Sequence, residues 1–175
     1  MRTLQEAVTE FDEQVEKWLA PRRSEAVDHV MYGISSAADH ALLWVGLGAL
    51  RTLRTRNLRW GARFLLALVG ESAVTNTVKL GVQRVRPPDH FEDDTPLPHK
   101  MRRPITSSFP SGHAVTAFTA AAVLSKGSRM GPAYYALAST IAASRVYTRI
   151  HHASDAIAGA ALGLVLGSVA RRLVR

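Results

Sequence analysis

The stretch FPSGHAVTAFTAAAVL, residues 109–124, sets a proline, a serine, a glycine and a histidine directly before a run of small apolar residues. Polar groups are thereby delivered to the mouth of an apolar helix. Apolar blocks fill 29–50, 61–80, 113–125, 131–146 and 153–169. Crossing a bilayer core takes about 20 helical residues, with a range of roughly 17–25. The first two blocks meet this length and the fifth reaches its lower limit. The third and fourth fall short, so either they extend into polar flanks inside a bundle or the bundle is not a membrane span.

Charge placement argues for the membrane. RTLRTRNLRWGAR between the first two blocks, KGSR between the third and fourth, and RRLVR at the end hold ten Lys or Arg and no acid. Residues 1–30 and 82–110 hold eleven of the fourteen acids. With five spans these sets fall on opposite faces, which the positive-inside rule reads as cytoplasmic and extracytoplasmic. A hydrophobic content of 47% at a mean hydropathy of +0.00 fits apolar blocks separated by charged segments. The expectation is an all-α, polytopic membrane helical bundle, with residues 1–175 forming one domain of about five transmembrane helices. Ahead of them Leu4, Val8, Phe11, Val15, Trp18 and Leu19 recur at helical spacing with acids between, which predicts an amphipathic helix over 1–21. It would lie on the membrane surface or pack on a core, and an interfacial position is expected. Residues 1–30 lack a basic n-region followed by an apolar h-region, so insertion is expected to begin with a retained segment.

The chain has no cysteine, which removes disulfides, thiolate metal sites and thiol nucleophiles. A net charge of +8 would suit nucleic acid, yet ten of the twenty-two cations are topology charges. Neither an aromatic platform, finger spacing nor a glycine-rich nucleotide loop accompanies them, so no nucleic-acid partner is expected.

Polar residues gather on the expected outer side. Lys79 ends the second block, with Arg86 and Pro87 just beyond it; Ser111, Gly112 and His113 open the third. Ser144 and Arg145 end the fourth, and His151 and Asp155 open the fifth. Lys79, Arg86 and Arg145 would repel a metal ion but suit the oxygens of a phosphoryl group, so a zinc reading of His113, His151, His152 and Asp155 is disfavoured. The glycine lets backbone approach closely, and amides at a helix N-terminus favour an anion. If the fifth helix starts by His151, the Asp155 carboxylate meets the imidazole and holds its tautomer, which makes His151 a candidate nucleophile. His113 lies across the site as a candidate proton donor to the leaving group.

K-x6-R-P from Lys79, P-S-G-H from Pro110 and S-R-x5-H-x3-D from Ser144 together resemble the three-part signature of the type-2 phosphatidic acid phosphatase superfamily. The resemblance implies a metal-independent phosphatase that needs no cofactor and passes through a phosphohistidine. It assigns His151 as nucleophile, Asp155 as its orienting partner and His113 as general acid, and gives Lys79, Arg86, Ser111, Gly112 and Arg145 to phosphate binding. Soluble acid phosphatases and vanadate-dependent haloperoxidases share the signature and are the rival chemistries; a non-catalytic membrane scaffold is the rival class.

Other residues are given lesser parts. Asp39, His40 and Glu71 fall inside apolar blocks, where ionisable groups are costly, and bundle-interior hydrogen bonding is expected of them. His152 is read as structural or substrate-facing. The loop 82–110 is placed on the site side, its long stretch 88–109 as a lid or binding loop, with His90 and His99 solvated. The expected partners are a bilayer and a lipid phosphate. A polyprenyl-linked phosphate such as decaprenylphosphoryl-5-phosphoribose or undecaprenyl diphosphate comes first, and phosphatidylglycerophosphate or phosphatidate is the alternative. A bacterial plasma membrane with the site on its extracytoplasmic face is the expected location.

Overall fold

Thr3 opens α1 (Leu4–Leu19) with a capping box, its hydroxyl accepting from the Glu6 N–H while the Glu6 carboxylate accepts from its own N–H. Pro21 cannot continue the helix, and a 3-10 turn over Ala20–Arg22 ends it. The amphipathic helix is therefore present. Leu4, Phe11 and Trp18, seven residues apart, form an exposed apolar stripe, whereas Asp12 is buried. The structure, a computed structural model, describes residues 2–87 and 105–174. Most of the loop 88–109, with His90 and His99, lies outside the described residues, as does the side chain of His40.

The first apolar block is not one helix, contrary to the single span expected over 29–50. Ser24 caps α2 (Glu25–Ala37), a 3-10 turn covers Asp39–Ala41, and α3 (Leu42–Thr55) starts afresh. Ala41 sits at φ 58° and ψ 10°, a left-handed conformation that costs a non-glycine residue about 1–2 kcal/mol. The break turns Asp39 toward His113 and Arg145, and those ionic contacts offset the cost.

Beyond it run α4 (Leu58–Val82), α5 (Gly112–Ser125), α6 (Gly131–Tyr147) and α7 (Ala153–Leu173). The fold is all-helical among the described residues. Helix α5 is the centre, with Ala114, Val115, Ala117 and every residue from Thr119 to Leu124 buried. A helix apolar on all sides belongs there, and its many alanines let neighbours close in. Helix α7 comes nearest, through Gly159, Gly163 and Gly167, which share one face. A Cβ added to Gly159 would stand 2.6 Å from the Ser111 carbonyl oxygen, and one on Gly163 2.5 Å from that of Val115. This is small-residue helix packing of the kind used in membranes. It brings the start of α5 against the start of α7, where the Ser111 N–H donates to the Asp155 carbonyl at 3.1 Å.

Two helices, α4 and α7, are long and apolar enough to cross a bilayer by themselves, and their apolar windows are only 17% and 39% buried. A core helix of that composition would be mostly covered. Leu65, Leu66 and Val69 of α4 and Ile157, Leu164 and Val165 of α7 point outward. Helices α3, α5 and α6 have 14, 14 and 17 residues, shorter than α4 and α7, so among the described residues fewer than five helices are long enough to span alone.

At the end where α5 finishes, cations meet helix carbonyls. Arg51 donates to the Leu124 and Lys126 carbonyls at 2.6 and 2.8 Å and stacks over Trp60 at 4.5 Å. Lys126 donates to the Arg171 carbonyl.

Candidate active site

Helix α6 stops at Tyr147, and the chain turns tightly, the Ile150 and His151 N–H groups both donating to the Arg145 carbonyl at 3.2 and 3.1 Å. Helix α7 begins only at Ala153, with His152 as its N-cap. His151 therefore sits in the turn, and its four-residue spacing to Asp155 is not a helical register. The Nδ1–H of His151 donates to the Ser108 carbonyl at 2.7 Å, while Asp155 Oδ2 stands 3.7 Å away. The Ser108 carbonyl is thus the nearer partner of Nδ1–H, with the Asp155 carboxylate beside it within ion-pair distance. Asp155 is at the N3 position of α7, and its carboxylate turns back to the His152 N–H at 2.9 Å. It also accepts from the Ser108 hydroxyl and, at 2.7 Å, from Arg84 Nη1. It secures the segment that holds His151.

With Nδ1 engaged, Nε2 carries the lone pair and accepts from Arg86 Nη1 at 3.3 Å. Burial, aided by the positive Arg86 and Arg145 and opposed by Asp155, pushes the His151 pKa down to about 4. The imidazole is neutral at neutral pH.

Around it stand the expected anion ligands. Lys79 Nζ donates to the Ser107 carbonyl at 2.7 Å. Arg86 spreads its guanidinium over the Thr106, Ser107 and Ile150 carbonyls. Arg145 is 1% exposed, and its Nη1 donates to the Ser35 hydroxyl at 2.6 Å. Its Nε and the Ser111 hydroxyl are buried without a hydrogen-bond partner, an expensive arrangement for groups of this kind. Ser111 is the N-cap of α5 yet makes no side-chain cap. Gly112 follows it, and an added Cβ there would meet Lys79 Cε at 3.9 Å and Thr75 Cγ2 at 3.8 Å. Those are ordinary contacts, so protein packing alone does not demand glycine. On the far side His113 Nε2–H donates to Asp39 Oδ1 at 2.8 Å, and the same oxygen lies 3.6 Å from Arg145 Nη1.

Lys79 lies within electrostatic range of Arg86 and Arg145, and His113 of Lys79 and Arg145. Gathering like charges at buried positions is unfavourable unless an anion joins them. All eight residues expected from the sequence are thus at one end of the bundle, Lys79, Arg86, His151 and Asp155 tied through the 106–108 segment and His113 and Arg145 through Asp39. Glu71 sits one layer deeper and accepts from the Thr75 and Thr116 hydroxyls at 3.3 and 2.5 Å, the interior hydrogen bonding expected of it.

Sequence reasoning missed Arg84, Ser108, Asp12 and Ser35. Ser108 adjoins FPSGH, and Arg84 is two residues before Arg86 and reads as more of the same basic flank. Asp12 and Ser35 carry no local signal.

A hollow of 910 Å³ lined by Lys79, Arg84, Arg86, Thr106 and Ser107 among others lies against the site, and two more adjoin it. One of 540 Å³ is lined by Asp12, Arg84, Arg149, His151 and His152 among others. The other, 380 Å³, is an apolar groove lined by Phe11, Val15, Leu19, Phe118 and Ile157. Val146 and Ala153 line both.

Residues 60–175 match the PAP2 superfamily, and the chain belongs to that superfamily. It is 32% identical to decaprenylphosphoryl-5-phosphoribose phosphatase of Mycobacterium tuberculosis over 139 residues, 78% of this chain and 75% of the relative. It is 30% identical to phosphatidylglycerophosphatase B of Bacillus subtilis over 181 residues, covering 91% and 81%. The crystal structure of a transmembrane PAP2 type phosphatidylglycerolphosphate phosphatase from Bacillus subtilis superposes with a TM-score of 0.76 at 27% identity, covering 95% of this chain and 86% of that one.

Proposed function

We propose that the chain is a membrane lipid-phosphate phosphatase working without a metal through a phosphohistidine on His151. The observation that carries this reading is the His151 imidazole, held by Nδ1 on the Ser108 carbonyl with Nε2 turned to Arg86. A neutral, fixed ring whose lone pair lies beside an anion-binding arginine is the form a nucleophile needs.

In the first step His151 Nε2 attacks phosphorus, forming a P–N bond as the P–O bond to the lipid breaks. His113 Nδ1 gives its proton to the departing oxygen, and Asp39 on Nε2 stabilises and orients that imidazolium. Lys79, Arg86 and Arg145, with the Ser111 hydroxyl and the amides opening α5, take the equatorial oxygens, where charge is held through the transition state. In the second step His113 takes a proton from water, the water oxygen attacks phosphorus, the P–N bond breaks and inorganic phosphate leaves. Asp155 keeps the Ser108 segment and the start of α7 in place throughout.

A lipid substrate fits the paired hollows. The hollow that carries Asp12, Arg84 and Arg149 reaches His151, and the apolar groove continues from it along α1, α6 and α7, which suits a charged head and a tail. A prenyl-linked sugar phosphate is the first substrate reading, supported by the mycobacterial relative. Phosphatidylglycerophosphate is the second, supported by the Bacillus fold match. Bacterial relatives support a bacterial plasma membrane. The basic end carrying Arg51, Lys126 and Arg171 is assigned to the cytoplasm and the site end to the extracytoplasmic face.

The test is phosphate release by purified protein in detergent with EDTA, from a prenyl-linked sugar phosphate, a polyprenyl phosphate, a polyprenyl diphosphate, phosphatidylglycerophosphate and phosphatidate. Wild type should release phosphate and His151→Ala should not. Equal release by both would overturn the nucleophile assignment.

A further inference from the structure

Helix α1 is a surface helix with one buried carboxylate, that of Asp12, whose side chain is 6% exposed. Burying a carboxylate is costly unless it is paired and hydrogen-bonded. Asp12 is both. Its Oδ1 accepts the Ser154 N–H at 2.8 Å, and its Oδ2 accepts the Ser154 hydroxyl and Arg84 Nη2, each at 2.7 Å. Ser154 lies in the first turn of α7, where backbone N–H groups have no partner within the helix. A residue 142 positions away in sequence thus caps the helix that carries Asp155.

Arg84 completes the link. Its Nη1 donates at 2.7 Å to Asp155 Oδ1 and to the Ser154 hydroxyl, and its Nη2 donates to Asp12. One guanidinium fork therefore bridges two carboxylates, a geometry that lysine cannot reproduce. Asp155 in turn holds the Ser108 hydroxyl, and the Ser108 carbonyl holds His151. The chain of contacts runs unbroken from α1 to the proposed nucleophile.

We propose that Asp12 and Arg84 are positioning residues for the reaction, through which the docked amphipathic helix sets the placement of Asp155 and so of His151. The inference rests on the phosphatase reading above. Both residues also line the hollow assigned above to the lipid head, so KM is read beside kcat to separate that contact from positioning. A second tether, the Arg149–Glu16 ion pair, joins α1 to the same turn without touching Arg84. It supplies the control that separates helix docking from positioning.

The experiment is steady-state phosphate release from the best substrate of the panel, for wild type, Asp12→Asn, Arg84→Gln, their double variant and Glu16→Gln, with thermal unfolding measured for each. Both single variants should lose roughly tenfold in kcat with KM changed by less than about twofold, and the double variant should be no slower than Arg84→Gln alone. Glu16 also lines the 540 Å³ hollow, and Glu16→Gln should keep the wild-type kcat. If Asp12→Asn does not fold, Ser154→Ala, which removes one Asp12 contact and no charge, is read in its place and should also lower kcat at constant KM. Wild-type kcat in Asp12→Asn, multiplicative losses in the double variant, or an equal loss in Glu16→Gln would overturn the positioning role while leaving the phosphatase reading intact. A silent wild type would instead overturn that reading, and this inference with it.

Discussion

The two ends of α5 handle cations in opposite ways. At its C-terminal end Arg51 and Lys126 donate to helix carbonyls, and their charge is spent on closing the bundle. At its N-terminal end Lys79, Arg86 and Arg145 crowd together, and Arg145 Nε and the Ser111 hydroxyl are buried with no protein partner. Residue type does not distinguish the ends; clustering does. Dispersed cations bonded to carbonyls hold helices together, whereas three cations gathered beside unpartnered buried donors mark an anion site.

Substitutions at the two ends should therefore separate activity from stability. The largest effect is expected at His151: His151→Ala should lower kcat by at least about 10³-fold in protein that still unfolds cooperatively, measured by phosphate release and by scanning calorimetry. Next comes Arg145→Lys, which keeps the charge but loses the planar fork, with an expected drop in kcat/KM on the order of 10²-fold. Asp39→Asn should cost roughly tenfold for a lipid alkoxide leaving group and much less for p-nitrophenyl phosphate, whose leaving group needs no proton. A loss equal for both substrates would remove Asp39 from the service of His113. The smallest effect on chemistry is expected at the other end, where Arg51→Gln should leave kcat unchanged and destabilise the fold by about 1–2 kcal/mol.

The pH response follows from the buried imidazole. His151 must be neutral to attack, and its pKa lies at about 4 against an ordinary 6.5. The limb of kcat/KM due to His151 should therefore fall near pH 4, not in the usual histidine range. The same shift bears on stability. Below pH 6.5 the unfolded chain takes up a proton that the folded one refuses until about pH 4, so this contribution is complete above 6.5 and declines as pH falls between the two. Replacing His151 should flatten that decline in the unfolding free energy.

Much of the site was legible because its residues lie at helix ends in short fixed spacings. Ser111 to His113 opens α5, Lys79 nears the end of α4, and Arg145 nears the end of α6. The Ser108 carbonyl on His151 Nδ1 was not foreseen because the reading assumed a helix already running at His151, whereas α7 begins two residues later. The break in the first apolar block was hidden for a different reason. Nothing local interrupts the helical pattern before Asp39; the interruption is fixed by partners 74 and 106 positions away, in His113 and Arg145. Arg84 and Asp12, 72 positions apart, were hidden in the same way. Within α1 Asp12 looks like one more acid on a polar face, and only the folded bundle buries it.

The most direct test of the central claim is rapid-quench trapping of wild-type protein with a 32P-labelled prenyl-linked sugar phosphate in the presence of EDTA. A covalent label that is acid-labile and alkali-stable, mapping to the peptide containing His151 and absent from His151→Ala, is the predicted result. Turnover with label on another residue, or an acid-stable phosphoester, would contradict it.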